Sequence, residues 1–428
     1  MERSSRRTAV TVFVLAAMAV IVTPILVPAS VASRSQGDYV SYYRPVADRL
    51  LAGHGLAHGA PDGGPALRYP PGEPLLVAAT LRVSRAIGLS DGVGQRLVTM
   101  LLMGAACVLV WAIARRTFGD APALVTAALF IVYPANRFVA MRLNSEVPFM
   151  VLVFGSTLLV VSAAERSAGR SIAWRSAAAG ALLGVALLVR PIGVAFVVPM
   201  LLVIGVPRRV DRASVARAAL FLGALLVVVG PWILWASGQG QGFVPLSTGG
   251  RPSVIDGLSY GLPGREPGRS WVPGPARSAM SDAAARAAAP RPPSVPSLVG
   301  SVARHHPLGF AELVGLKAAR AWYGTESERS EWLVALVQAP FLGLTAWGAL
   351  LALGEGARTR GRGLAMLLLG ILLATWILTV CVLSIAAYLA PVIALGFALA
   401  GVGPARCWAA RAGRSRRGPA PAAAPAPR

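Results

Sequence analysis

The chain has 428 residues, of which 55% are hydrophobic and 14% charged, and its mean hydropathy is +0.62. This composition lies far from that of water-soluble domains and excludes a soluble globular fold. The net charge of +23 would suit a nucleic-acid partner, but the arginines flank long apolar runs at every second gap between those runs. Such alternation is typical of cytoplasmic loops in membrane proteins. It predicts both termini in the cytoplasm, an even number of spans and no nucleic-acid partner.

Ten apolar segments have the character of transmembrane helices, which need about 20 residues to cross the hydrocarbon layer. We therefore predict an all-α polytopic membrane protein, a bundle of about ten helices with two large non-cytoplasmic loops. The first apolar segment is longer than the core of a usual signal peptide, which favours a retained signal anchor. The third, fifth and sixth segments are short or interrupted by proline, so tilt or re-entry is expected there. The predicted spans are residues 8–31, 95–114, 121–135, 146–164, 175–189, 191–206, 213–236, 331–354, 363–383 and 385–402.

The long outer loops are the expected location of function, because they exceed what a simple connection needs. Within the second loop, residues 238–301 are rich in Gly, Pro and Ser and are expected to lack regular structure by themselves. Residues 302–322 instead show the pattern of one amphipathic helix at the membrane surface. The predicted organisation is a transmembrane module over 1–236 with the first outer loop at 32–94, a second outer loop over 237–330, C-terminal helices over 331–403 and a basic, Pro/Ala-rich cytoplasmic tail over 404–428.

The first outer loop opens with GDYVSYYRPVADRLLAGHG, in which Asp38 precedes a predicted helix that ends near Gly53. Asp38 is either the N-cap of that helix or a general base that accepts a proton from a hydroxyl group. Farther along, RYPPGEPLLVAA places Arg68, Tyr69 and Glu73 near the membrane interface. That segment could equally be a structural corner without chemistry.

Other polar candidates stand at the outer ends of spans. RLNSEVPF puts Arg142 and Glu146 at the start of the fourth span, where a carboxylate is also an ordinary partner of the helix dipole. Arg190, in LLVRPIG, is either a buried functional guanidinium or an interfacial anchor at an outer turn, and the predicted topology favours the turn. His54 and His58 have i, i+4 spacing, but their Gly-rich surroundings make metal ligation the weaker interpretation.

The order of these motifs resembles that of the integral-membrane C-type glycosyltransferases, in the branch with the protein mannosyltransferases and lipid A aminoarabinose transferase. The resemblance covers residues 8–400. Its motifs are DYVSYY after the first helix, RYPPGEPLL, a Ser-Glu pair at an outer turn, LLVRPIGVAFVVP and RHHPLGFAELVGLKAARAWYGTES. It implies transfer of a sugar from a polyprenyl-phosphate donor on the non-cytoplasmic face.

The resemblance also implies roles for two acids: Asp38 as the catalytic base and Glu146 in a supporting or metal-related role. One motif differs from the family pattern. Relatives commonly carry an Arg-Tyr pair before Leu and Pro, whereas this chain reads AAYLAP, with Ala387 at the arginine position and Tyr388 retained. A donor-phosphate contact is therefore either missing or supplied elsewhere, by Arg190 or Arg320 for example.

Phosphate leaves an anomeric carbon as a stable anion, so one base and a set of cations suffice, unlike in glycoside hydrolysis. Guanidinium groups match phosphate oxygens well. A divalent metal is allowed but not required by the sequence. The residues expected to bind the donor and its phosphate are Arg68, Tyr69, Arg142, Arg190, Lys317, Arg320 and Tyr388.

These observations predict an inverting transferase in the plasma membrane of a bacterium, acting on the non-cytoplasmic side. It would move a mannose-like or arabinose-like sugar to an envelope lipid, glycan or protein. The alternative is a multi-span transporter or lipid flippase, but such proteins place ionisable groups near the bilayer midplane and the predicted spans here are nearly free of charge. A non-catalytic membrane scaffold is a third alternative, favoured if Asp38 is dispensable.

Overall fold

The computed structural model is a bundle of α-helices, described over residues 2–26, 37–59, 63–164, 170–205, 211–259, 272, 274–325, 331–354 and 359–416. Across these ranges the backbone forms no β-strand, only an isolated bridge between Ala57 and Pro65. Eight of the described helices are long and apolar enough to cross a membrane, or nine if a bent pair counts as one span. The expected polytopic helical architecture is confirmed.

The N-terminal half alternates long apolar helices with shorter ones in the first outer loop. Its helices are α1 (Glu2–Leu26), α2 (Arg44–Leu51), α3 (Gly72–Ala86), α4 (Asp91–Phe118), α5 (Asp120–Val132), α6 (Pro134–Met141), α7 (Glu146–Ala164), α8 (Arg170–Val189), α9 (Val197–Gly205) and α10 (Arg212–Ser237). A π-helical turn over Tyr39–Tyr43 precedes α2, and a 3-10 helix over Pro191–Phe196 precedes α9.

Three predicted spans differ from simple straight helices or from their expected length. The third is the pair α5 and α6, bent by 50° at Tyr133, where Pro134 cannot continue the preceding helix. The fifth, expected to be short, is the full-length α8. The sixth, residues 191–206, is a 3-10 helix followed by α9, and together they are shorter than a span that crosses the membrane unaided.

Small residues bring the spans of the bundle close together, as is usual where lipid supplies no hydrophobic driving force. A methyl group added at Gly180 of α8 would lie 2.0 Å from the carbonyl oxygen of Phe221 in α10. The C-terminal helices are α15 (Glu331–Leu353), α16 (Thr359–Cys381), α17 (Ala386–Ala400) and α18 (Val402–Arg416). Every residue of α17 from Leu389 to Ala400 is buried, so this helix occupies the centre of the bundle.

The second outer loop is more ordered than its composition suggests. The described part forms α11 (Gly250–Ser259), α12 (Gly274–Ala287), α13 (Val295–His305) and α14 (Pro307–Arg320). Inside the protein the described part of this loop is helical, because apolar residues such as Leu258, Met280 and Leu313 pack into a separate small core. The single helix expected over 302–322 is broken at His306, since the following proline disfavours helical backbone there.

Candidate active site

Asp38 stands at the start of the π-helical turn that opens the first outer loop. Among the described residues its side chain makes no capping hydrogen bond to that turn, so the N-cap interpretation fails. Instead, Oδ1 of Asp38 accepts a hydrogen bond of 3.2 Å from the hydroxyl group of Tyr69. Burial and the nearby Asp38 carboxylate raise the pKa of Tyr69, which therefore stays protonated and donates. Asp38 itself is half-buried.

Tyrosine packing holds this pair in place. Tyr42 and Tyr43, on one face of the π-helical turn, are buried and pack against the ring of Tyr69 with centroid separations of 5.0 and 5.4 Å. The hydroxyl group of Tyr42 also accepts a hydrogen bond of 3.4 Å from the backbone N–H of Tyr69. Aromatic pairs of this kind contribute both buried area and a preferred geometry. They anchor the RYPP segment beside Asp38.

Glu146 and Arg190 form the second part of the site. Glu146 begins α7, and Arg190 directly follows the last residue of α8. Nη1 of Arg190 lies 2.8 Å from Oε1 of Glu146, with the two side chains only 12% and 4% exposed. Arg190 thus occupies the turn expected at the end of α8, but it is a buried ion-pair partner and not an interfacial anchor. Glu146 likewise has a specific partner beyond the helix dipole.

The backbone before Glu146 is unusual. Leu143 has a φ of +52°, in the left-handed region that non-glycine residues rarely adopt. Its side chain packs into the apolar core of the first outer loop, with the tyrosines around Asp38. Such strain persists only where surrounding contacts determine the conformation, often at functional sites. Here the strained residue lies between α6 and α7, close before Glu146, and it links that segment to the core of the first outer loop.

The two acidic positions are connected through hydroxyl groups and rings. Nη1 of Arg190 donates to Oγ of Ser145 at 3.2 Å, and that oxygen lies 3.3 Å from the hydroxyl oxygen of Tyr43. The guanidinium carbon of Arg190 is 5.6 Å from the ring centroid of Tyr388. The structure therefore brings Asp38, Tyr69, Glu146, Arg190 and Tyr388 into one region.

Glu73 also belongs to this region, although the sequence did not assign it there. It lies in the first turn of α3 and is 2% exposed. Burial and the nearby Glu146 charge, opposed by Arg190, raise the pKa of Glu73 to about 8, so its carboxyl group is largely neutral at pH 7. Among the described residues, the Oε2 atoms of Glu73 and Glu146 have no hydrogen-bond partner. The sequence placed Glu73 near the membrane interface with Arg68 and Tyr69 but gave it no role in the site.

A close backbone contact explains the placement of Glu73. A methyl group at Gly72 would lie 2.6 Å from the carbonyl oxygen of Leu188. Only glycine lets the start of α3 approach the end of α8 this closely. As a result, the side chain of Glu73 is buried close to Arg190.

The remaining predicted residues divide into two groups. Arg68 is exposed, with its guanidinium carbon 5.4 Å from the ring centroid of Tyr69, and Arg142 is buried between α6 and α7 with its guanidinium over Phe138. Arg68 therefore lies next to the site residue Tyr69 in space, and Arg142 lies shortly before Glu146 along the chain. Lys317 and Arg320 lie on α14 and contact other groups.

Lys317 is 6% exposed, and its amine packs against Gly257. Burial lowers the pKa of this amine to about 8. Arg320 forms a salt bridge with Glu331 at the start of α15. The described contacts of these two cations are therefore with α11 and α15. Arg320 already has a carboxylate partner, which makes it the weaker substitute for the arginine missing at position 387.

Metal ligation has little geometric support. In the part of the chain that the structure describes, no group of three His, Cys, Asp or Glu side chains is arranged to hold one metal ion. His58 stacks on Tyr42 with a centroid separation of 4.8 Å, and its Nε2 lies 3.2 Å from the carbonyl oxygen of Ser41. These contacts give His58 a packing role. Within the described ranges, the side chains therefore do not provide a three-ligand metal site of this kind.

Comparisons with known proteins give one family match and several structural matches. Residues 72–235 match the family described as dolichyl-phosphate-mannose-protein mannosyltransferase. This region includes Glu73, Glu146 and Arg190 and begins after Asp38 and Tyr69. No curated protein sequence matches the chain significantly.

Three solved structures are similar at low sequence identity. The apo oligosaccharyltransferase of Archaeoglobus fulgidus has a TM-score of 0.54 at 15% identity, covering 95% of this chain and 52% of that one. The A. fulgidus oligosaccharyltransferase AglB, in complex with an inhibitory peptide and a dolichol-phosphate, has a TM-score of 0.51 at 15% identity, with coverages of 98% and 53%. ArnT from Cupriavidus metallidurans bound to undecaprenyl phosphate has a TM-score of 0.42 at 16% identity, with coverages of 93% and 78%.

The fold is that of the integral-membrane C-type glycosyltransferases, and the resemblance expected from the sequence is confirmed. Within that class, the matched family is the one described for protein mannosyltransferases. The chain spans about half the length of the archaeal oligosaccharyltransferases that it matches.

Proposed function

We propose that this protein is a membrane glycosyltransferase that moves a sugar from a polyprenyl-phosphate donor to an acceptor hydroxyl group. The observation that carries the proposal is the half-buried Asp38 carboxylate, oriented by Tyr69 and joined through Tyr43 and Ser145 to a buried guanidinium. A base beside cations is the minimum set for displacing a phosphate from an anomeric carbon. The family match supports this class of donor.

Asp38 serves as the general base. Its carboxylate takes the proton of the acceptor hydroxyl group while the acceptor oxygen attacks the anomeric carbon. The bond between that carbon and the donor phosphate oxygen breaks, and its electron pair leaves with the phosphate. A single displacement of this kind inverts the anomeric configuration. Tyr69 donates a hydrogen bond to one carboxylate oxygen and so keeps the base oriented before the transfer.

Arg190 is the best placed cation for the leaving phosphate. Its guanidinium group contacts the ring of Tyr388. Relatives carry an arginine directly before this tyrosine, whereas this chain has Ala387. Arg190 therefore puts a guanidinium close to the place where relatives have one. Glu146 orients the guanidinium through their salt bridge. Arg68, exposed over Tyr69, and Arg142 are further candidates for the same phosphate. Lys317 lies farther along the outer surface, on α14.

The finer identity of the substrates is also proposed. The mannose in the description of the matched family favours a mannose-like sugar over an arabinose-like one. The acceptor is a lipid, glycan or protein of the envelope, and the site lies on the non-cytoplasmic side of a bacterial plasma membrane. The alternation of arginine-rich gaps supports this orientation.

A direct test uses purified protein in liposomes with radiolabelled mannosyl polyprenyl phosphate and an envelope extract as acceptor. We expect transfer of label to the extract. Asp38→Asn should reduce the rate by about 10²- to 10⁴-fold. Asp48→Asn is the matched control, because Asp48 lies in the same loop but in a surface network with Arg44 and Arg85.

Two results would contradict the proposal. One is a wild-type protein that transfers neither mannose-like nor arabinose-like sugar from such donors. The other is an Asp38→Asn variant with the wild-type rate. Movement of intact donor across the bilayer without bond cleavage would favour the flippase alternative.

A further inference from the structure

Residues 246–259, which we call the α11 bridge, touch two separate parts of the outer surface through glycines. A methyl group at Gly249 would lie 2.5 Å from the carbonyl oxygen of Arg68. One at Gly257 would lie 2.2 Å from the carbonyl oxygen of Val382 and 2.7 Å from Nζ of Lys317. Both contacts are too close for any side chain. Roughly 12 Å of helix separates them, at about 1.5 Å per residue.

The first end of the bridge is anchored beside the proposed base. The N–H groups of Thr248 and Gly249 donate to the carbonyl oxygens of Leu67 and Arg68 at 2.8 and 3.1 Å. Nε1 of Trp232 donates to the carbonyl oxygen of Leu246 at 2.7 Å. This pairing holds the two residues that directly precede Tyr69. A shift of the bridge would therefore move the hydroxyl group that orients Asp38.

The second end lies against Lys317 and the connection between α16 and α17. Lys317 is buried under Gly257, and Val382 belongs to the segment that leads to Tyr388. The same connection is held from the other side, because the N–H group of Ala386 donates to the carbonyl oxygen of Gly324 at 2.9 Å. The bridge thus extends from the Tyr69 side of the outer surface to the Lys317 side.

We infer that the α11 bridge holds these two sides at a fixed separation, with Gly249 and Gly257 as positioning residues for the proposed transfer. The inference rests on the proposed function. The bridge matters for geometry because Asp38 and Lys317 come from loops that are far apart in the sequence. Misplacing a reacting group by about 1 Å can cost about 10²-fold in rate.

The first test compares Gly249→Ala with Gly250→Ala. The neighbouring Gly250 has open space around its Cβ position, so its variant is a matched control. We expect Gly249→Ala to lower kcat by about tenfold with KM for the donor nearly unchanged, and Gly250→Ala to stay within about twofold of wild type.

A double-mutant cycle separates positioning from general damage. If Gly249 acts through Tyr69, adding Gly249→Ala to Tyr69→Phe should cost little further rate, since coupled sites are not additive. Independent effects would multiply and would refute the inference. Equal rates for the Gly249 and Gly250 variants would also refute it. A wild-type protein without any transfer activity would instead refute the proposed function.

The second test does not depend on transfer. Lys317 is the only lysine in the chain, so amine acylation followed by mass spectrometry of its peptide reports on one side chain. Burial shields this amine from reagent, and an amine that becomes exposed has its usual pKa of about 10.4, so the reaction is run near about pH 10 to keep part of it unprotonated. Gly257→Ala should displace the amine and speed its acylation about tenfold. Gly300→Ala, with open space at its Cβ position, is the control. Equal acylation of Lys317 in wild type and Gly257→Ala would show that Gly257 does not hold the Lys317 amine in place, which would contradict the inference for this end of the bridge.

Discussion

Nη1 of Arg190 and Oε1 of Glu146 lie 2.8 Å apart in a place that is almost closed to water. One residue follows α8 and the other begins α7, so their salt bridge joins adjacent ends of two spans beside Tyr388. A buried ion pair contributes little net stability compared with apolar residues of the same volume, but breaking it leaves a charge buried without its partner.

We therefore expect Arg190→Gln to destabilise the protein by about 3–5 kcal/mol, because Glu146 would be left buried without its counter-charge. The double variant Arg190→Gln with Glu146→Gln should recover part of this loss, since both charges are then removed. Denaturant unfolding in detergent, followed by tryptophan fluorescence, measures the difference. Additive losses in the double variant would show that the two side chains are not energetically coupled.

Glu73 should make stability depend on pH. Its pKa is raised from 4.5 to about 8, so the folded protein keeps a proton that the unfolded chain loses. Stability should fall as pH rises between these values, by up to about 1.4 kcal/mol per pH unit, and stay level on either side. Glu73→Gln should remove this slope and be more stable than wild type near about pH 8, but similar near about pH 4.5.

The measurement for Glu73 is the apparent melting temperature across this pH range. Glu312→Gln serves as the control, because Glu312 is an exposed carboxylate on α14 and its replacement should leave the wild-type slope intact. The same slope in Glu73→Gln as in wild type would mean that another group causes the dependence.

Tyr69→Phe tests the orientation of the proposed base. It removes the hydrogen bond to Asp38 but keeps the ring packed against Tyr42 and Tyr43. Hydrogen bonds to charged groups contribute about 1.5–3 kcal/mol, so the transfer rate should fall by about tenfold or more with little change in melting temperature. Tyr323→Phe, at the end of the second outer loop, provides the control. If Tyr69→Phe transferred sugar at the wild-type rate, the hydrogen bond would have no part in the reaction.

Gly180→Ala tests the packing of α8 on α10. Its new methyl group would lie 2.0 Å from the carbonyl oxygen of Phe221, whereas Gly223→Ala in α10 would meet open space. The first variant must separate the two helices and lose contacts along their interface, so we expect a lower melting temperature and a lower yield of folded protein. Gly223→Ala should behave like wild type. Equal stability of the two variants would argue against this close approach.

The sequence predicted much of the site, because its clearest signals are local. Asp38 follows the first apolar run and Glu146 begins the fourth, so span assignment alone placed both acids at helix ends. Arg190 lies at the turn that the predicted topology favoured, but it is buried in an ion pair and is not the interfacial anchor expected there. Glu73 was not assigned because its unusual protonation comes from Glu146 and Arg190, which are distant in the chain.

Local composition determined the apolar helices of this protein and their approximate lengths, because hydrocarbon thickness and backbone hydrogen bonding act on each segment separately. Packing between segments decided which charges meet: Arg190 joins Glu146, Arg320 joins Glu331, and Lys317 is buried under Gly257. It also ordered the second outer loop, whose short helices pack against one another in a separate core. Such contacts depend on close approach of distant backbones, a property that no single stretch of residues encodes.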